Sequence, residues 1–169
     1  MKNLVLTLLF ACFMLVANNS MAQTKIGHLD SSELLQGLPE WQTAQKEVQT
    51  FMEMKKKDLA AKNQALVEDY NKLVEQDNKG LLTPLDKQKK GDEMQKRQDA
   101  LQQEQAKAEE ELDAKQTTLT DPIRKKVKDA IAAVAKEKGY NYIIDNSAGV
   151  LLYDSPTDDI SAFVKDKLR

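Results

Sequence analysis

Residues 52–73, MEMKKKDLAAKNQALVEDYNKL, decide the fold because they place an apolar side chain at every seventh position. These positions are Met52, Leu59, Leu66 and Leu73. The second heptad line that would face a partner helix is mostly polar, and Ala, Lys, Glu and Gln dominate the surrounding sequence. The stretch therefore predicts a long helix that pairs through a narrow apolar seam.

A second helical stretch downstream repeats this design. Its apolar seam positions are Met94, Leu101, Ala108, Leu112 and Leu119. Between the two stretches, Gly80 tolerates a left-handed turn, Thr83 can cap a new helix, and Pro84 suits its first position. We predict an antiparallel helical hairpin over residues 40–120, with its tip near residues 78–84.

The returning helix then meets a proline. Pro122 lacks an amide hydrogen and disfavours helix in the residue before it. We therefore predict a kink or a restart of the helix at this position. A denser apolar stripe follows, and Gly139 is a good C-terminal stop for the helix.

Strand-like sequences flank the hairpin on both sides. KIGHLD (25–30) precedes it, and YNYIID (140–145) and VLLY (150–153) follow it around an Asn/Ser/Gly turn, which predicts a β-hairpin. A short amphipathic helix closes the chain. The predicted fold is α+β and predominantly helical, with a long antiparallel coiled-coil hairpin and a small β-rich oligomerisation body over residues 23–39 and 121–169.

The predicted body is too small to bury much apolar surface by itself. We therefore expect its strands to associate with those of sister copies. The residues predicted to form this core are Ile26, Leu29, Tyr140, Tyr142, Ile144, Leu151, Tyr153 and Phe163.

The first 22 residues have the pattern of a secretory signal. After a basic start comes an apolar run of about 14 residues, shorter than a membrane-spanning helix requires, and small residues precede Gln23. We predict that residues 1–22 are a signal peptide cleaved before Gln23, which leaves a soluble mature protein. A lipoprotein signal ending at Cys12 is the alternative.

Charge and composition exclude several classes of function. The 25 Lys and Arg residues against 27 Asp and Glu give a net charge of −2, which does not suit a nucleic-acid-binding protein. His28 is the sole histidine, and the sole cysteine, Cys12, lies in the predicted signal segment. We therefore expect no catalytic, cofactor-binding or metal-binding residues, and no cofactor.

Positive charge is concentrated near the predicted tip. The basic residues there are Lys79, Lys87, Lys89, Lys90, Lys96 and Arg97. Protruding charges act effectively on anionic partners, so this basic tip is a candidate contact for a client protein or an anionic membrane. The alternative is an ordinary solvated helix face.

In its order of features the chain resembles the Skp (OmpH-like) family of periplasmic chaperones. The resemblance rests on the signal, KIGHLD (25–30), the charged helical hairpin, Pro122-Ile123, GYNYIID (139–145) and TDDI (157–160).

The resemblance implies a periplasmic homotrimer whose hairpin arms enclose unfolded outer-membrane proteins without using ATP. It also implies no enzymatic activity, and it suggests peripheral contact with anionic membrane or lipopolysaccharide. The slightly acidic charge of this chain departs from the basic arms of the family. A structural coiled-coil adaptor that bridges envelope components is the alternative function.

Overall fold

The computed structural model describes residues 24–169. Along the chain it contains β1 (Ile26–Leu29), α1 (Ser31–Gln36), α2 (Pro39–Asn78), α3 (Pro84–Lys138), β2 (Tyr142–Asp145), a 3-10 turn (Pro156–Asp158) and α4 (Ser161–Leu168). The predominantly helical α+β fold is as predicted. The predicted signal segment 1–22, its cleavage site before Gln23 and the alternative at Cys12 lie outside the described residues.

The break between the two long helices falls at residues 79–83. Gly80 has a positive φ of 68°, the backbone conformation that the turn requires and that glycine adopts without strain. At the start of α3, the Thr83 amide donates to Asp86 Oδ2 at 3.3 Å, and the Asp86 amide donates back to Thr83 Oγ1 at 3.2 Å. This reciprocal capping box confirms the predicted role of Thr83 as a helix cap.

The prediction of a helix restart at Pro122 is wrong. Helix α3 continues from Pro84 to Lys138 with Pro122 inside it. A proline inside a helix removes one backbone hydrogen bond, but packing on either side can keep the helix continuous. Thr120, Ile123 and Val127 are all buried next to the proline.

The chain divides into two compact units, and α3 runs from one into the other. The hairpin unit comprises residues 32–128, and the strand unit comprises residues 24–31 and 129–169. In the hairpin unit, α2 and the first part of α3 run antiparallel. Its buried side chains are Leu34, Ala44, Thr120, Ile123 and Val127.

In the strand unit, β1 and β2 form a parallel pair. Ile26 is the register partner of Tyr142, and Leu29 that of Asp145. The predicted β-hairpin over residues 140–153 is therefore wrong: β2 pairs with β1, and residues 150–153 form no strand within the described chain. The reason is local, because the Asn146 side chain accepts the Leu151 amide at 2.9 Å and turns the chain away from β2.

The core of the strand unit is small and tightly packed. Its buried side chains are Leu29, Ala130, Val134, Ile160, Val164 and Leu168. Gly27 lies in close contact with this core, since a Cβ atom placed on it would be 3.0 Å from both the Ile160 and the Tyr140 side chains. A larger residue here would require both side chains to shift by a few tenths of an ångström, so glycine suits the close approach of the strand.

Candidate binding surface of the helical hairpin

A ladder of polar pairs joins α2 to α3 at intervals of one heptad. The paired residues are Lys55 with Glu111, Lys62 with Glu104, Asp69 with Arg97, and Gln76 with Lys90. Their donor–acceptor distances are 2.5, 2.6, 2.9 and 2.7 Å in that order. Each step of seven residues up α2 matches seven residues back along α3, so the antiparallel register is constant over four heptad positions.

The ladder accounts for the polar line that the sequence pattern left without partners. Lys55, Lys62 and Asp69 belong to the second heptad line, which the sequence shows to be mostly polar, and the partners Glu111, Glu104 and Arg97 were not predicted. The alternation of charge between the two helices is the signal that would have found them. The pairs fill the second seam line with polar contacts, three of them ionic, instead of apolar ones.

Hydrogen bonds across the ladder shift the pKa values of its members. The hydrogen bond from Lys55 lowers the pKa of Glu111. The hydrogen bond from Arg97 and, to a smaller extent, the one from Lys72 lower the pKa of Asp69. The hydrogen bonds to Glu104 and Asp58 raise the pKa of Lys62. These groups are open to solvent, which screens their attraction, so the ladder sets register more than it adds stability.

On one side of the ladder the two helices leave an open apolar groove of about 480 Å³. Met52, Leu59, Leu101 and Leu112 from the predicted seam line it. A second groove of about 220 Å³ adjoins it, and Asn63 lines both.

The second groove extends the same apolar side along the hairpin. Its lining includes Leu66 and Met94 from the predicted seam, together with Val67 and Tyr70. Val67 and Tyr70 are 50% and 57% exposed. We refer to the two grooves together as the apolar side of the hairpin; the predicted seam residues Leu73 and Leu119 are half-buried and line neither groove.

The opposite side of the seam is charged. Two further grooves there, of about 240 and 210 Å³, are lined by Lys62, Arg97, Glu104, Glu111 and Asp58, among others. When the helices are viewed down their axes, the charged residues lie on one side of the line of seam leucines and the residues of the apolar side lie on the other. The hairpin therefore presents one apolar side and one charged side.

Several residues of the predicted basic tip are already paired within the hairpin. Lys79 pairs with Glu75, Lys87 with Asp77, Lys90 with Gln76, and Arg97 with Asp69. Among the described residues, Lys89 and Lys96 make no ion pair within 4.0 Å. Leu81 and Leu85 near the tip, which were not among the predicted tip residues, are 68% and 58% exposed.

The predicted core residues of the body differ widely in exposure. Leu29 is buried, and Tyr140, Ile144 and Leu151 are half-buried. The exposed ones are Ile26, Tyr142, Tyr153 and Phe163. Leu152, which sequence analysis missed although it lies in the run VLLY, is fully exposed.

His28 has a structural environment. Its Nε2 atom lies 2.9 Å from the carbonyl oxygen of Ser155, and its Nδ1 atom lies 3.8 Å from Asp154. Within residues 24–169, no cluster of His, Cys, Asp and Glu has the arrangement of a metal site. Over the same residues, no helix has the length and apolar character needed to span a membrane.

The chain combines a two-helix hairpin that carries an apolar groove with a small parallel strand pair. This combination defines a class of helical-hairpin proteins. Within this class the chain belongs to the outer membrane protein (OmpH-like) family, whose model matches residues 25–168. It is 24% identical over 155 residues to the chaperone protein Skp of Yersinia enterocolitica, with 92% of each chain covered.

A solved structure shares the fold. It is the crystal structure of an OmpH-like protein of Caulobacter crescentus, described as an outer membrane chaperone, with a TM-score of 0.72 and 15% sequence identity. The match covers 87% of this chain and 85% of the other. The family resemblance read from the sequence and the predicted fold class are thus confirmed.

Proposed function

We propose that the protein is an ATP-independent periplasmic holdase that binds unfolded outer-membrane proteins and prevents their aggregation. The observation that carries the proposal is the apolar side of the hairpin, where Val67 and Tyr70 are half exposed. Exposed apolar surface of this extent favours binding of other apolar chains. The Yersinia relative is a chaperone by name, and a solved OmpH-like structure shares the fold of this chain.

This mechanism involves only non-covalent binding and release of the client, with no covalent reaction step. An unfolded client binds weakly at many points along the grooves, and such multivalent contacts combine into useful affinity. Release follows when the client finds a more favourable environment, so no nucleotide, cofactor or catalytic group is needed. We propose accordingly that the protein is not an enzyme.

We propose further that the working form is a homotrimer held together through the strand unit. The exposed side chains Tyr142, Leu152 and Tyr153 support this proposal, because small units rarely leave such residues in water. The predicted signal segment supports a periplasmic location.

The hairpin tip supports a peripheral contact with anionic membrane or lipopolysaccharide. Leu81 and Leu85 are exposed there, and Lys89 and Lys96 provide positive charge. Changing both lysines to Gln should weaken cosedimentation with anionic vesicles, whereas the same change at Lys46 and Lys57 should not. Equal binding of all these variants would exclude the tip as the contact.

The holdase proposal is tested by diluting a urea-unfolded outer-membrane barrel into buffer with the purified protein and following light scattering. We expect suppression of aggregation. The variant Val67→Lys/Tyr70→Lys should suppress less, because charge enters the apolar side, while Ala61→Lys/Ala106→Lys adds the same charge at exposed positions outside the grooves and should act like the parent. Absence of any complex would favour the adaptor function instead.

A further inference from the structure

We infer that the apolar side of the hairpin binds the main chain of an extended peptide, with Asn63, Gln98 and Gln105 as the hydrogen-bonding groups. The inference rests on the proposed holdase function and names the part of the client that this surface recognises. Asn63 lines both grooves, Gln105 lines the larger one and Gln98 the smaller.

The three amides are exposed, so their hydrogen-bonding groups are accessible to a bound chain. Among the described residues, none of them makes a side-chain hydrogen bond, whereas the Gln49, Gln64 and Gln95 amides each donate to an acidic neighbour on their own helix. An amide side chain offers two donor hydrogens and an acceptor oxygen. The groove therefore presents both kinds of group to whatever enters it.

The remaining lining indicates an uncharged occupant. Apolar side chains form most of it. Three charged residues also line the larger groove: Lys55 is paired with Glu111, and Lys56 and Glu109, which make no ion pair within residues 24–169, lie on opposite helices with opposite charges. Most ionic groups are on the other side of the seam. An anionic headgroup would gain little here, since its binding needs an excess of positive charge.

An extended segment of unfolded protein has the matching chemistry. Its backbone N–H and C=O groups lack partners until they meet a strand or a polar side chain. Its side chains point alternately to opposite sides, so one set can contact the apolar lining while the other stays in water. Transmembrane β-strands carry this alternation of apolar and polar residues.

The positions of the amides suit such a segment. Gln98 and Gln105 are one heptad apart on α3, or about 10.5 Å, which about three residues of extended chain cover. The pairs Lys62–Glu104 and Asp69–Arg97 set the register of the two helices. In this register Asn63 on α2 lies at a level between Gln98 and Gln105 on α3. Amides from both walls can therefore reach a chain lying along the groove.

The test compares two dye-labelled peptides of alternating Leu and Ser, one with an ordinary and one with an N-methylated main chain. Fluorescence anisotropy gives their Kd for the purified protein and for the variant Asn63→Leu/Gln98→Met/Gln105→Met. Leu and Met are good helix formers and make the groove more apolar. The matched control is Asn71→Leu/Gln102→Met/Gln103→Met, whose positions line neither groove.

We expect the triple variant to bind the ordinary peptide about tenfold more weakly, from the loss of a few hydrogen bonds, and the control to bind it unchanged. The N-methylated peptide should bind the parent weakly. Equal affinity for both peptides, or tighter binding by the triple variant, would mean that apolar contact alone operates and would overturn the inference. A change of native mass in the triple variant with unchanged peptide affinity would assign the groove to a second copy of the chain, which also overturns it.

The aggregation assay with the unfolded barrel is run in parallel. If the parent protein fails to suppress aggregation, the holdase proposal itself fails. If the parent and the triple variant suppress aggregation equally and bind the ordinary peptide equally, the holdase proposal stands and the main-chain inference fails.

Discussion

Asp145 shows how a single residue stabilises the small strand unit through hydrogen bonds. Its carboxylate accepts hydrogen bonds from the Ser31 hydroxyl at 2.5 Å, the Ser31 amide at 3.1 Å and the Ser147 amide at 3.0 Å. Partial burial by itself raises the pKa of this carboxyl, but the hydrogen bonds from Ser31 and Ser147 outweigh it, and the net shift is downward. The charged form of Asp145 is therefore the one that the fold stabilises.

Replacing Asp145 by Asn should lower the free energy of unfolding by about 1 kcal/mol near neutral pH, because the amide cannot accept all three hydrogen bonds. A lowered folded pKa contributes stability above the ordinary value of 3.8, and this contribution is lost as the pH falls through the folded pKa. The difference between parent and variant should therefore shrink in acid. Urea unfolding at a series of pH values measures it.

Asp158→Asn is the matched control, since its side chain makes no hydrogen bond within the described residues. It removes the same charge and should leave stability nearly unchanged. A gap between parent and Asp145→Asn that stays constant into strong acid would contradict the proposed role of the carboxylate.

At the scale of elements, the ladder of polar pairs explains how two helices with a thin apolar seam keep one register. The variant Lys62→Glu should have a lower Tm than the parent, because the new carboxylate would face both Glu104 and Asp58. The double variant Lys62→Glu/Glu104→Lys should recover part of the loss. The loss should diminish in molar salt, where screening weakens surface charges.

Lys57→Glu serves as the control for this cycle, because Lys57 lies on the same helix without an ion pair within the described residues. It should change the Tm less than Lys62→Glu does. Circular dichroism melts at low and high salt measure all four proteins, and a double variant no more stable than Lys62→Glu would show that the ladder does not couple the helices.

Pro122 is a second element-scale feature. It lies exposed inside continuous α3, so its substitution removes little packing. Pro122→Ala restores a backbone donor and should raise the free energy of unfolding by about 1–3 kcal/mol. An unfolding midpoint in urea at or below that of the parent would indicate that α3 gains nothing from the restored hydrogen bond.

For the whole molecule, stability and assembly should depend on different residues of the strand unit. Ile160 is completely buried, whereas Leu152 is completely exposed. Ile160→Ala should cost about 2–5 kcal/mol, because it leaves a cavity in a small core. Leu152→Asp should leave the fold of each chain intact and lower the native mass if the strand unit forms the proposed trimer.

Analytical ultracentrifugation and circular dichroism together separate the two effects. A parent protein that sediments as a folded monomer at micromolar concentration would contradict the trimer. If Leu152→Asp had the same native mass as the parent, the proposed contact of Leu152 in the trimer would be contradicted.

The sequence by itself determined the helical hairpin, its reversal near Gly80 and the capping by Thr83, because heptad spacing and turn chemistry are local properties of the chain. Only the tertiary structure decided what depends on distant residues. It paired β2 with β1 in parallel, kept α3 continuous through Pro122, and matched Lys62 with Glu104. It also separated the apolar side of the hairpin from the charged side, since the register between two helices selects which residues meet across the seam.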